Sequence, residues 1–148
     1  MIQIACDPRK RRLLEKLVLG RDPVLEKELG VELVDERNPD SDYIVNRNCH
    51  LFTFGEEYKW VLSHASAPRG FIATEDPSDA VVIVYFGSPT SNAPLGHEIR
   101  HSGRVRDEKV VSKFSYGSVY RHSPHEVPLC YGSVFQYYRQ APRVKKRR

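Results

Sequence analysis

At 148 residues, 40% hydrophobic and 28% charged, the chain has enough apolar side chains for one domain with a real core, and no apolar run approaches the length that crosses a bilayer. The net charge of +4 is local: five of the last six residues, Arg143 to Arg148, are basic, and the remainder carries about −1, which excludes a general attraction of the folded body for polyanions. Three scattered cysteines, Cys6, Cys49 and Cys130, with no C-x-x-C pair, exclude a disulfide framework and a paired-thiol zinc site and point to a reducing, cytoplasmic setting.

The opening segment MIQIACDPRKRR turns charged before an apolar core of signal-peptide length accumulates, so a soluble chain without a leader is expected. Residues 9–19 place Leu13, Leu14, Leu17 and Val18 on one helical face, stopped by Gly20. Asp22-Pro23 then caps a second short helix carrying Leu25 and Leu29 and stopped by Gly30. Val31 to Val34 reads as extended, and Glu36 to Ser41 as a loop leading to Tyr43-Ile44-Val45. Asn48 is a good N-cap for a helix from Cys49 to about Ala65, with Phe52, Tyr58, Val61 and Leu62 toward a core and Gly55 weakening its middle.

Beyond it Pro68, Gly70, Pro77, Pro89 and Pro94 separate short runs, and Ala80 to Phe86 reads as a strand. His101 to Val105 and Val110 to Phe114 flank the polar link Arg106 to Lys109 as a hairpin, and Ser133 to Tyr138 supplies another strand. Helices first and strands after them predict an α+β domain, N-terminal helices packed on an antiparallel sheet. It spans residues 1–140, with a helical part over 1–36, a core over 43–139 and a flexible basic tail at 141–148.

The segment Gly96 to Val105 admits two active sites. As a helix, His97-Glu98-x-x-His101 would bind zinc through the two imidazoles, with Glu98 as general base and Asp107 at the third-ligand place. Pro89, Pro94 and Gly96 before it and Gly103 after it oppose that helix. As the start of a hairpin, only His101 points inward, and it needs a nucleophile from elsewhere. Cys49 qualifies, because a thiol in the first turn of a helix is drawn toward the thiolate by the dipole and the free N–H groups.

The order of Asn48-Cys49-His50, a helix ending near Trp60, the strand Asp79 to Tyr85 and His101-Ser-Gly-Arg-Val105 resembles the compact papain-like amidohydrolases related to the NlpC/P60 group, including a small branch found in bacteria and their phages. The resemblance continues through Val111-Ser-Lys-Phe114, Gly117 to His122, Val127-Pro128, Tyr131-Gly132 and Tyr137-Tyr138-Arg139, and so covers roughly residues 43–139. It implies a papain-like fold, a Cys49 nucleophile and a His101 base acting on an amide, isopeptide or thioester carbonyl of a peptide, amide or acyl substrate, without a cofactor. Those enzymes commonly carry a histidine about twelve residues after the base, where this chain has Lys113. Pairing of Val105 with Val110 puts Ser112 on the face of His101, which makes Ser112 the third catalytic candidate. The oxyanion would meet the Cys49 N–H and the side chain of Asn46 or Asn48. On this reading the Cys49 sulfur lies within hydrogen-bond reach of a His101 nitrogen.

The remaining features have quieter readings. His50 packs beneath its helix, His64 marks that helix's exposed end, and His122, His125 and Cys130 belong to surface or turn positions. Tyr116, Tyr120, Tyr131, Phe135, Tyr137 and Tyr138 read as half-buried sheet faces. The alternative is a nucleic-acid-binding module that stacks bases on them beside the basic tail.

Overall fold

Two aspartates start the fold. In the computed structural model, which describes residues 1–35, 48–55, 58, 68–89, 97–114 and 117–142, Asp7 accepts from the Arg9 N–H (2.8 Å) and Asp22 from the Leu25 N–H (3.0 Å). Each precedes a proline at the first helical position; α2 (Pro23–Leu29) begins where the sequence predicts, and α1 (Pro8–Leu19) one residue before the expected Arg9. Gly30 ends α2 in the left-handed conformation (φ 72°), which only glycine adopts without strain.

The strands form one antiparallel sheet. They are β1 (Ile2–Gln3), β2 (Glu32–Asp35), β3 (Phe71–Thr74), β4 (Val82–Pro89), β5 (His97–Arg106), β6 (Lys109–Lys113), β7 (Val119–His122) and β8 (Val134–Gln140). Their order is β1-β8-β4-β5-β6-β7-β2, with β3 also paired to β8. The α+β expectation therefore holds at this level. No helix among the described residues is long and apolar enough to cross a membrane.

Strand alternation gives this sheet two buried faces. The inner face carries Ile83, Tyr85, Val105, Val110, Phe114, Tyr120, Phe135 and Tyr137, and it packs against Leu14, Leu17, Leu25 and Leu29 of the first two helices. Each such large apolar side chain contributes about 1.5–3 kcal/mol when fully buried. Arg11 and Tyr120 pin the helices in place: the Arg11 guanidinium donates to the carbonyls of Val127, Pro128 and Gly132, and the Tyr120 hydroxyl donates to the Glu26 carboxylate. The outer face carries Val82, Val84, Phe86 and Tyr138, with Phe54, Phe71, Ile99 and Val134 packed against them.

Two details depart from expectation. The helix at Cys49, here α3 (Cys49–Phe54), ends at Gly55, whose φ of 77° suits glycine and breaks the helical run; Val61, Leu62 and Ala65 of the longer expected helix lie outside the described residues. The hairpin link is shorter than Arg106 to Lys109, because those two residues pair and leave Asp107 and Glu108 (φ 52° and 62°) as a two-residue turn.

At Gly103 the side chains of β6 fill the space where a side chain of β5 would stand. A Cβ there would lie 2.6 Å from Val110 Cγ1 and 2.9 Å from Ser112 Cβ. Gly103→Ala is therefore expected to lose about 1–3 kcal/mol through overpacking. The loss should appear as a lower urea midpoint at unchanged slope. A variant as stable as the parent would show that the two strands separate easily.

Candidate active site

Asn48 builds the first element of the site. Its side-chain oxygen accepts from the Leu51 N–H (2.8 Å), capping α3 and placing Cys49 at the first helical position. The α3 helix docks on the outer face: Phe54 joins the outer cluster, Arg104 stacks over the Phe52 ring at 4.5 Å and donates to the Phe52 carbonyl, and His50 Nδ1 meets Ser102 Oγ at 2.7 Å. The Cys49 thiol is buried. Burial pushes it up to about 11, although backbone hydrogen bonds from Ser102, His50 and Cys49 itself pull the other way. It is a protonated thiol at neutral pH, surrounded by donors suited to its anion.

His101 projects to the inner face. Its ring has no exposed surface, stacks on Tyr131 (centroids 3.9 Å apart, planes within 3°), and is bordered by Tyr85 and Phe114. Burial, and to a smaller degree His122 and His50, holds the imidazole well below its ordinary range, so it is neutral. Neither ring nitrogen has a hydrogen-bond partner among the described residues. Orphaned buried polar atoms are rare, and each forfeits about 1–3 kcal/mol.

The expected contact between Cys49 and His101 is accordingly not made. The thiol touches the backbone of Ser102, next in sequence to His101, but alternation sends the imidazole through to the other face of β5. Ser112 does lie on the inner face with His101, yet its hydroxyl engages His122 Nε2 at 2.7 Å. His122 Nδ1 lies 2.8 Å from the Ser123 carbonyl, an acceptor only, so Nδ1 carries the proton and the Ser112 hydroxyl donates to Nε2. Both Ser112 lone pairs are left to accept. Lys113 donates to the Gly117 carbonyl at 2.9 Å.

His122 is the residue the sequence reading missed. Its sequence surroundings point to a surface or turn, but β7 pairs with β6 (Val110 with His122) and carries it to the inner face, with 2% of its surface exposed. The alternation of Tyr120 and His122 was the available signal. His125 accepts from the Ala5 N–H at 2.9 Å, tying the segment after β1 to the loop after β7.

The other candidates are sorted by backbone and burial. Asn46 lies outside the described residues, and the Asn48 oxygen is engaged as a cap rather than facing an oxyanion. Residues 97–106 are a strand, so the helix required by H-E-x-x-H is absent. Four extended residues separate His97 from His101 by roughly 13 Å, and Asp107 sits in the hairpin turn roughly 20 Å from His101. Among the described residues no three His, Cys, Asp or Glu side chains gather closely enough to hold a metal ion. Tyr120, Tyr131, Phe135, Tyr137 and Tyr138 are buried and offer no stacking platform for bases; Tyr116, His64 and the basic tail from Arg143 lie outside the described residues.

No family model, curated protein or solved structure matches this chain.

The buried imidazoles make stability depend on pH. Burial pushes His50 and His122 down to about 4, whereas both would take up protons near pH 6.5 once unfolded. Between those values the unfolded chain binds more protons, so stability falls as pH drops from about 6.5 to about 4, by at most about 1.4 kcal/mol per pH unit for each histidine. His122→Gln should flatten this slope by one histidine's share, read from urea midpoints at pH 7.5 and pH 5. An unchanged slope would refute a neutral, buried His122.

Proposed function

We propose that this protein is a papain-like cysteine hydrolase of the cytoplasm, acting on an amide, isopeptide or thioester carbonyl of a peptide or acyl substrate. One observation carries the reading. The thiol at the first position of α3 accepts from the backbone of the residue beside His101, and His101 is a neutral imidazole with both nitrogens unused. A neutral imidazole is the form that can accept a thiol proton. The order of an N-terminal helical part, a cysteine helix and an antiparallel sheet bearing the histidine supports the papain-like assignment.

In the proposed reaction the Cys49 proton passes to His101 and the sulfur forms a bond to the carbonyl carbon. The imidazolium returns the proton to the departing amine or thiol. Water deprotonated by His101 then releases the acid from the acyl-enzyme. The N–H groups of Cys49 and Ser102 meet the oxyanion, and a lone pair of the Ser112 hydroxyl, aligned by His122, is the acceptor for the imidazolium. Because the structure holds thiol and imidazole on opposite faces of β5, a shift of α3 alone does not join them; the reaction requires β5 to slip by one residue at Arg100, which turns His101 toward α3. Until then Cys49 is a poor nucleophile.

The test is covalent labelling by a carbonyl-like electrophile, followed by mass spectrometry. His101→Phe keeps the stack on Tyr131 and removes only the nitrogens. Labelling at Cys49 is expected in the parent and should slow by about 100-fold or more in His101→Phe, the range for loss of a general base, while His97→Ala leaves it intact. Equal labelling of parent and His101→Phe would leave Cys49 an ordinary thiol and overturn the proposal.

A further inference from the structure

Arg11 is a buried charge that makes no ion pair among the described residues, Glu15 acting on it only at longer range. Only 6% of its surface is exposed, its Nε and Nη2 donate to three backbone carbonyls, and among the described residues it forms no ion pair. Glu15, one turn further along α1, forms none with it. Buried charges are ordinarily paired, and carbonyl dipoles alone compensate a guanidinium only in part. The third nitrogen, Nη1, makes no hydrogen bond among the described residues.

Arg11 lines a cavity of about 260 Å³ together with Arg100, Gly87, Gly132, Ser133 and Cys130. Two of the lining residues have no side chain, and the space they leave is used. A Cβ at Gly87 would come within 2.8 Å of Arg100 Nε, so the Arg100 guanidinium lies directly over that glycine. A Cβ at Gly132 would run into the Phe86 carbonyl, so here the backbone itself forms the wall. The volume is at the small end for ligand pockets, and two guanidinium groups are the donors best matched to planar or tetrahedral oxyanions.

The geometry points to a binding site for a small oxyanion, a carboxylate or phosphate group, held between Arg11 and Arg100 on the glycine floor. The site is separate from Cys49, which lies on the other face of the sheet, and stands whether or not the hydrolase reading does. The oxyanion completes the charge balance of Arg11, and the Ser133 hydroxyl supplies a neutral donor.

The experiment is amide-resolved NMR of the full chain, titrated with inorganic phosphate and, separately, with acetate, each at ionic strength held constant with sodium chloride. Saturable shifts centred on Gly87, Gly132 and Ser133 are expected with at least one anion, and the stronger of the two identifies the group preferred. Arg100→Gln and Gly87→Ala, which remove or displace the second guanidinium while leaving Arg11 in place, should each weaken the response at least tenfold. Arg11→Gln should abolish it; should that variant fail to fold, the other two decide. No saturable shift with either anion at tens of millimolar, or shifts unaltered in both Arg100→Gln and Gly87→Ala, would overturn the site.

Discussion

The sidedness of β5 is the constraint on which the rest depends. Tyr85 pairs with His101, but the next residue, Phe86, pairs with Ile99, so Arg100 is an extra residue bulged out of the ladder. Before the bulge Ile99 packs on the outer face, and after it His101 faces the inner core, although the two positions differ by an even number. Without that one-residue slip His101 would follow the phase of Ile99 and share a face with α3. The bulge thus decides which aromatic residues surround the imidazole, which hydroxyl meets His50, and where the Arg100 guanidinium goes.

The inner face that results is unusual in holding polar side chains at the centre of an aromatic layer. Phe114 touches His101, Tyr120, His122 and Tyr131 at once, so two histidines share one apolar wall. They are treated differently. His122 is satisfied at both nitrogens by Ser112 and Ser123, which makes its burial inexpensive, while His101 is satisfied at neither among the described residues. A fold selected only for stability would replace His101 with an apolar residue of similar shape. That contrast is why the hydrolase proposal centres on His101 and assigns His122 the subordinate task of aligning Ser112.

Much of this architecture is legible locally. Asp22-Pro23 marks a helix start because capping and a fixed proline φ act within a few residues, the spacing of Leu13, Leu14, Leu17 and Val18 marks the first helix, and the hydrophobic run ending at Phe86 marks β4. The hairpin is legible as a pairing of Val105 with Val110, although its turn is tighter than the polar stretch suggests, since Asp107 and Glu108 accept positive φ. What depends on distant chain is not legible. Ile2–Gln3 is too short to announce a strand and exists only through β8, and the histidine in Val119–His122 looks like a loop residue until β6 is laid beside it. For the site, the residues Cys49, His101 and Ser112 are visible in the sequence, and so is the shared face of His101 and Ser112, which follows from the pairing of Val105 with Val110; the opposite face of Cys49 is not, because it follows from a bulge and from where α3 docks.

The pairing of the sheet's edges bears on how the chain must assemble. Ile2 pairs with Phe135 and Leu33 with Tyr120, so segments preceding α1 and following α2 complete opposite sides of the sheet using strands formed late in the sequence. β8 is the hub, hydrogen-bonded to β1, β3 and β4. Such long-range pairing carries a high contact order and its loop-closure entropy, which slows folding. During vectorial synthesis the sheet that the early helices cover stays incomplete until β8 leaves the ribosome, and β4 presents an open hydrogen-bonding edge throughout that interval. The nascent chain, rather than the finished protein, is therefore the state most exposed to edge-to-edge aggregation.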